Sequence, residues 1–433
     1  MLPTAWLYFL IMKSLGFLLL LLTFACCGYT QNVISYTDQV YRGSIKSVEC
    51  YNAAKPGSFP LIHFRTDEQL VLAFDDLEGR SRNYYYTIEH CDAQWNTSRL
   101  SPAEYLQSFT EDRIMDYSYS SGTIQKYIHY QVRFPNANIS PKLPGNYLLK
   151  VYEDNDPTRL IITRRVYLAA SNVSIGAEVV PSANVALRAQ NQKLNLQVTY
   201  AGLNVQNPYT DMKVLAMQNS RPQTAQLSTR PTYIRGSQLI YNDISINDFA
   251  GGNEFRHFDT RTLKLNSERI ARIFKDTANT VLLLGDASSN GDAYLFQYDN
   301  NGSFFILNQD GHDPATDADY AYVYFNFMAP PSLPKGDIYV TGRFNNFSLN
   351  QNNKLVYDAA RNRYTLAIPL KQGVYDYQYV WVNAATQQVD NAMLLEGNYF
   401  ETENDYQILV YYRAPGARWE ELVGYQPLNT GRR

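Results

Sequence analysis

Charge is scarce in this sequence. Asp, Glu, Lys and Arg make up 18% of its 433 residues, below the roughly 25% of ordinary soluble domains. Neither sign dominates, because 38 basic residues against 41 acidic ones leave a formal −3. Without a basic excess there is little counterion release to gain from phosphates, which argues against a nucleic-acid partner. His (5), Trp (4) and Cys (4) are few. Beyond residue 30 no apolar run approaches the ~18 residues of a spanning helix. No repeat of fixed period is visible, so a solenoid is not expected. What the chain has is aromatic: 36 Tyr and 20 Phe, 14% with Trp included. Side chains of that kind offset ordering entropy when buried, which excludes disorder. At roughly 100–200 residues per domain, the length suggests two to four domains.

Residues 1–30 read as a secretory signal peptide. Lys13 gives a short positive region, an apolar core with an unbroken leucine run at 18–22 follows, and small residues come after it. Met12 offers a cleaner start than Met1. A membrane anchor over residues 5–24 is the competing reading, and Lys13 interrupts it. Ala25-Cys26-Cys27-Gly28 resembles a lipobox in which Cys26 or Cys27 carries the lipid, although Thr23 and Phe24 fit poorly. Ordinary cleavage before Gln31 is preferred and lipidation stays open. The mature chain then keeps two cysteines, Cys50 and Cys91. In an oxidising compartment they are a disulfide candidate; two buried free thiols are the alternative.

From Gln39 onward, short alternating runs separated by Gly, Asn, Asp and Pro carry the strand signature. The expected fold class is all-β: tandem immunoglobulin- or fibronectin-like β-sandwich domains, the last one early-set-like. Three segments follow the leader, at 33–170, 171–316 and 317–433. Strands are expected in the first at 45–51, 70–74, 84–91, 127–134, 147–153 and 160–168. The second offers 173–180, 193–200, 213–217, 238–241, 254–257, 281–284 and 304–307. Within it, 267–274 has helix-like spacing, with Ile270, Ile273 and Phe274 on one face. In the third, a linking strand at 320–327 leads to a stiff proline-rich hinge at 329–334. Beyond it, the stretch 338–347 comes first, strands at 354–357, 364–370 and 374–382 follow, and 405–412 returns.

No motif nominates a catalytic, cofactor or metal site. His63, His90, His129, His257 and His312 form no HExxH and no ligand pair at helical spacing. His90 and Cys91 are adjacent on a strand and so face opposite sides, which is poor for proton transfer. There is no GxSxG elbow, Walker loop or GxGxxG. Asp310, Asp313, Asp317 and Asp319 are four carboxylates in ten residues. Ile306 nevertheless occupies the first ligand position of an EF-hand aligned on Gly311, so a polar loop is expected instead of a calcium site. Gly342-Arg343-Phe344-Asn345-Asn346-Phe347 matches a phrase frequent in starch-binding early-set modules, which stack sugars on exposed aromatics. It makes a periplasmic or surface glycan-binding protein the alternative function. Tyr84, Tyr85 and Tyr86 alternate faces, as do Tyr411 and Tyr412, while Tyr117 and Tyr119 share one. Tyrosines of that kind suit either half-solvated sheets or a partner.

One set of phrases goes further. A run at 68–79 leads into 83–95, which ends His90-Cys91-Asp92-Ala93-Gln94-Trp95. Phe249-Ala250-Gly251-Gly252-Asn253-Glu254-Phe255-Arg256-His257-Phe258-Asp259 follows, and then a tyrosine-rich run at 319–325. Together, over about 41–424, they resemble the plug protein family of the type IX secretion system of Bacteroidetes. The resemblance implies a non-enzymatic periplasmic protein, held peripherally at the outer membrane, without cofactor or small-molecule substrate. Its partner would be the large outer-membrane β-barrel translocon, whose periplasmic mouth it closes when no cargo passes. Partner-binding residues do not transfer from the resemblance, and His90 and Cys91 are implied to be structural. A plug that must leave again favours a polar, wet interface.

Overall fold

The computed structural model describes residues 34–390 and 393–431. The leader reading at 1–30 and the lipobox at Cys26 and Cys27 lie outside the described residues. Strands dominate, and six mostly antiparallel sheets form several β units.

In the first unit, one sheet runs in the order Gln39–Val40, Leu160–Ala169, Gly145–Glu153, Tyr84–Cys91, Asp112–Arg113, with Leu61–His63 parallel to Leu160–Ala169. The other orders Ile45–Asn52, Leu70–Asp76, Ile128–Phe134 and Asp116–Tyr119. All six expected strands are present, with ends moved by two residues at most. Ile62, Leu72, Phe74, Tyr84, Tyr86, Tyr130, Tyr147 and Leu149 fill the space between the sheets.

The second pair sets Ser174–Pro181, Asn191–Thr199, Gln238–Tyr241 and Tyr233–Arg235, with Asp248–Ala250 also on Asn191–Thr199, against a four-stranded sheet. That sheet orders Gln226–Ser228, Met212–Gln218, Asp405–Tyr412 and Glu421–Asn429. Here the structure departs from expectation. Asp405–Tyr412 does not return to the third segment; Leu409 lies opposite Leu215 and Val410 opposite Val214. The remaining strands, between Arg256 and Asn383, make the third pair. Gly373–Asn383 is flanked by Arg256–Asp259, Phe304–Ile306 and Gly336–Thr341. It faces a sheet ordered Ile270–Lys275, Asn279–Leu283, Tyr320–Met328, Arg363–Lys371 and Val356–Asp358. The third pair is thus inserted between strands of the second. The segment border at 316 falls inside it, since Phe304–Ile306 and Tyr320–Met328 contribute to the same core.

Why strands such as Gly145–Glu153 and Met212–Gln218 are buried along nearly their whole length follows from layering. Residues on alternate faces of a strand enter different cores. Leu149 and Val151 face the first core, while Leu148 faces a separate cluster with Leu215, Met217, Leu409 and Tyr411. Val214, Ala216, Ile408 and Val410 face the core of the second pair. Four sheets therefore stack with three apolar layers between them.

Two further expectations change. Residues 267–274 are no helix: Ile270–Lys275 is a strand paired with Asn279–Leu283. A register shift between Ile270 and Arg272 lets Ile270 and Ile273 both meet the core, and that bulge copies a helical i, i+3 spacing. The prolines at 329–334 do not separate domains. They cross from one sheet of the third pair to the other, with Ala329 and Leu333 packed on its core.

Candidate functional site

The most specific sequence phrases turn out to be joints. Asp92 organises a turn by accepting the backbone N–H groups of Gln94 (2.8 Å) and Asn96 (2.9 Å). This holds Trp95 against Tyr167, edge to face at 5.3 Å, with the Arg165 guanidinium 4.6 Å over its ring. From the second pair, Glu420 accepts the Ala93 N–H at 3.0 Å and the Tyr411 hydroxyl donates to Asn146 at 3.0 Å. His90 is fully buried edge-on to Tyr147, and burial pushes its pKa down to about 4. Position 145 must be glycine, since a Cβ there would sit 2.4 Å from the His90 ring. Cys50 and Cys91 are free thiols on strands of different sheets, so the disulfide expectation is corrected. Burial raises both to about 12, which leaves them unreactive.

The second phrase forms the neck through which the chain enters and leaves the third pair. Gly251 donates to the Gln190 carbonyl (2.9 Å), Tyr399 to the Gly252 carbonyl (2.8 Å), and Asn398 accepts the Gly252 N–H (2.8 Å). A Cβ on Gly251 would lie 2.0 Å from the Tyr399 carbonyl oxygen. Buried Asn404 ties the Gln192 side chain to the Gly251 carbonyl. Arg256 pairs with Glu396 at 2.7 Å and Asp286 at 3.1 Å.

First and third pairs meet through charge. Asp75 and Lys371 form an ion pair at 2.7 Å, each side chain 1% exposed. Tyr320 donates to the same Asp75 oxygen at 2.7 Å, His129 lies 2.7 Å from the other, and Lys371 sits 4.2 Å over the Tyr127 ring. Neighbouring Glu49 is pushed up to about 7 by burial. The sequence reading singled out neither Asp75 nor Lys371.

The acidic loop binds backbone. Asp310 accepts from Leu263 N–H, Asp317 from His312 N–H, and Asp319 from Ile124 N–H. Among the described residues no group of His, Cys, Asp and Glu is placed to hold a metal ion. In the 342–347 phrase the aromatics point inward: Phe347 is buried 6.2 Å from Phe255, and Phe344 packs on Tyr375. Neither ring stands out on the surface as a sugar-stacking platform. Several buried tyrosines are tethered core fillers: Tyr377 and Tyr379 both donate to Asp286, and Tyr84 to Asp76. Exposed aromatics concentrate elsewhere. Tyr117 and Tyr119 do share a face, 40% and 59% exposed, on a strand that ends its sheet beside exposed Met115. Tyr322, Tyr324 and Met328 line the outward face of Tyr320–Met328.

The chain is thus built of stacked β-sheets, its most distinctive motifs serve rigid joints, and it displays aromatic rows outward. Residues 45–170 match the family model described as the type 9 secretion system plug protein first domain. A solved structure from Parabacteroides merdae ATCC 43184, described as a hypothetical protein, is 31% identical. The match covers 92% of this chain and all of that one, with a TM-score of 0.87. None of the curated proteins matches.

Proposed function

We propose that this protein is a non-enzymatic plug that docks on the periplasmic end of the outer-membrane type IX translocon and seals its pore when no cargo is in transit. The match of 45–170 to the plug first domain carries the reading. A seal must be broad and stiff, and the apolar layers together with the Asp75–Lys371 joint supply stiffness. Among the described residues no helix is long and apolar enough to cross a membrane, in keeping with a periplasmic protein bound peripherally. We take its domains to be the three sheet pairs, immunoglobulin-like in kind, with the last one early-set-like. Tyr117 and Tyr119 form the docking edge in this reading, because amphipathic rings on a terminal strand suit a wet, reversible contact.

The test is a tagged pull-down from gently solubilised outer membranes. A very large barrel protein should be recovered in near-equal amount. The pair Tyr117→Ser and Tyr119→Ser should lower that recovery at least tenfold with the melting temperature unchanged. Recovery of the tagged chain alone would overturn the plug reading; full recovery with the double variant would remove only the docking edge.

A further inference from the structure

We propose that the cleft between the three sheet pairs is a binding site for a small organic anion with a flat aromatic body, an aryl-bearing carboxylate. The cleft measures about 430 Å³ and is lined by all three pairs, through Cys50 and Arg164 from the first, Ser220 from the second and Phe347 from the third. A larger space of about 710 Å³ shares Asp38, Arg164 and Asn346 with it. The smaller volume lies within the 300–1,000 Å³ of ordinary ligand pockets, and it fits a small molecule better than a folded partner.

Its charge is what sets it apart. Elsewhere in the molecule, Arg42 pairs with Glu153, and Arg256 with Asp286 and Glu396. Arg164 is only 6% exposed, yet among the described residues no carboxylate forms an ion pair with it. Among the described residues its side chain makes one hydrogen bond, from Nη1 to the Thr163 carbonyl at 3.3 Å. Arg343 is likewise without a carboxylate and donates to the Gly57 carbonyl at 2.7 Å and to Ser303 Oγ at 3.3 Å. Gly57 fixes that acceptor, since a Cβ there would lie 2.3 Å from the Phe305 ring. Burial lowers the pKa of both guanidinium groups. A buried charge that lacks its partner is costly, and a guanidinium fork matches a carboxylate with two parallel bonds.

Asp38 acts on both guanidinium groups through space but forms an ion pair with neither among the described residues, and its carboxylate accepts the Arg165 backbone N–H at 2.7 Å. Burial raises the Glu49 carboxyl to about 7. The walls supply the second half of the specificity. Phe59 and Tyr167 lie 4.5 Å apart at one side, and Phe304 and Phe347 close the other. Apolar rings beside two guanidinium groups select a ligand that is flat at one end and anionic at the other.

The experiment is calorimetric titration of the mature chain with N-acetylphenylalanine, its neutral amide and inorganic phosphate. The acid should bind at least tenfold more tightly than the amide, and phosphate should not compete with it. Arg164→Met, which keeps the length of the side chain and removes its charge, should weaken the acid at least tenfold. Equal binding of acid and amide, displacement by phosphate, or no binding by wild type would each overturn the proposal without any variant. Undiminished binding by a folded Arg164→Met protein would overturn it as well. The plug reading stands or falls independently of these outcomes.

Discussion

Against the second sheet pair, the first presents Leu148, Tyr167 and Trp95 to Leu215, Met217 and Leu409, a joint that is apolar nearly throughout. Against the third it presents Asp75, Tyr127 and His129, and meets Lys371 and Tyr320. Apolar contact is non-directional and scales with area, so the first joint holds wherever the surfaces fit. Ionic contact at 1% exposure is satisfied in one geometry and costly in others. One joint therefore supplies adhesion and the other supplies register. A broad body that must present one fixed face uses both.

Removing one partner of the ion pair should expose this difference most sharply. Asp75→Leu leaves Lys371 buried without a counter-charge and should cost about 4 kcal/mol in chemical denaturation. The double variant Asp75→Leu with Lys371→Met should recover most of that loss; if it does not, the joint depends on more than charge. In the apolar joint, Leu409→Ala should cost about 3 kcal/mol, and no compensating substitution across the joint should restore it fully. Tyr411→Phe, which strands the Asn146 oxygen, should cost about 1 kcal/mol by the same measurement.

The smallest expected effect is one of pH. Because burial raises the Glu49 carboxyl to about 7 in the folded state, against 4.5 for the free group, folding favours its protonated form. The stabilisation is complete below about 4.5 and is lost as pH rises through about 7. Melting temperatures between pH 5 and 8 should therefore fall less in Glu49→Gln than in wild type. Parallel curves would show that Glu49 is solvated and that the polar joint is wetter than its geometry implies.

The strands of the first unit are what sequence makes readable. Period-two alternation places strands, and all six of the first unit stand where expected because Tyr, Ile, Val and Leu alternate with turn residues between them. The pairing of Asp405–Tyr412 with Met212–Gln218 is a different matter. Both strands are apolar on both faces, so nothing in either one names its neighbour, and the partners are nearly 200 residues apart. The bulge after Ile270 defeated the period count in the opposite direction. The candidate site was legible only as oddities. Arg164-Arg165 interrupts an apolar strand, and Arg343 sits inside a phrase read for its aromatics. Asp75 and Lys371, 296 positions apart, gave no sign of meeting.

The neck at Gly251 and Tyr399 also fixes an order of assembly. A chain emerging from its N-terminus can complete the first sheet pair once residue 169 is out, and the inserted pair once residue 396 is out. The second pair must wait, because Met212–Gln218 has an open side until Asp405–Tyr412 arrives. A product truncated near residue 400 would carry two finished units and one bare strand edge, the kind of surface that recruits other chains into aggregates. Asp405–Tyr412 and Glu421–Asn429 are the strands that cover that edge in the folded protein.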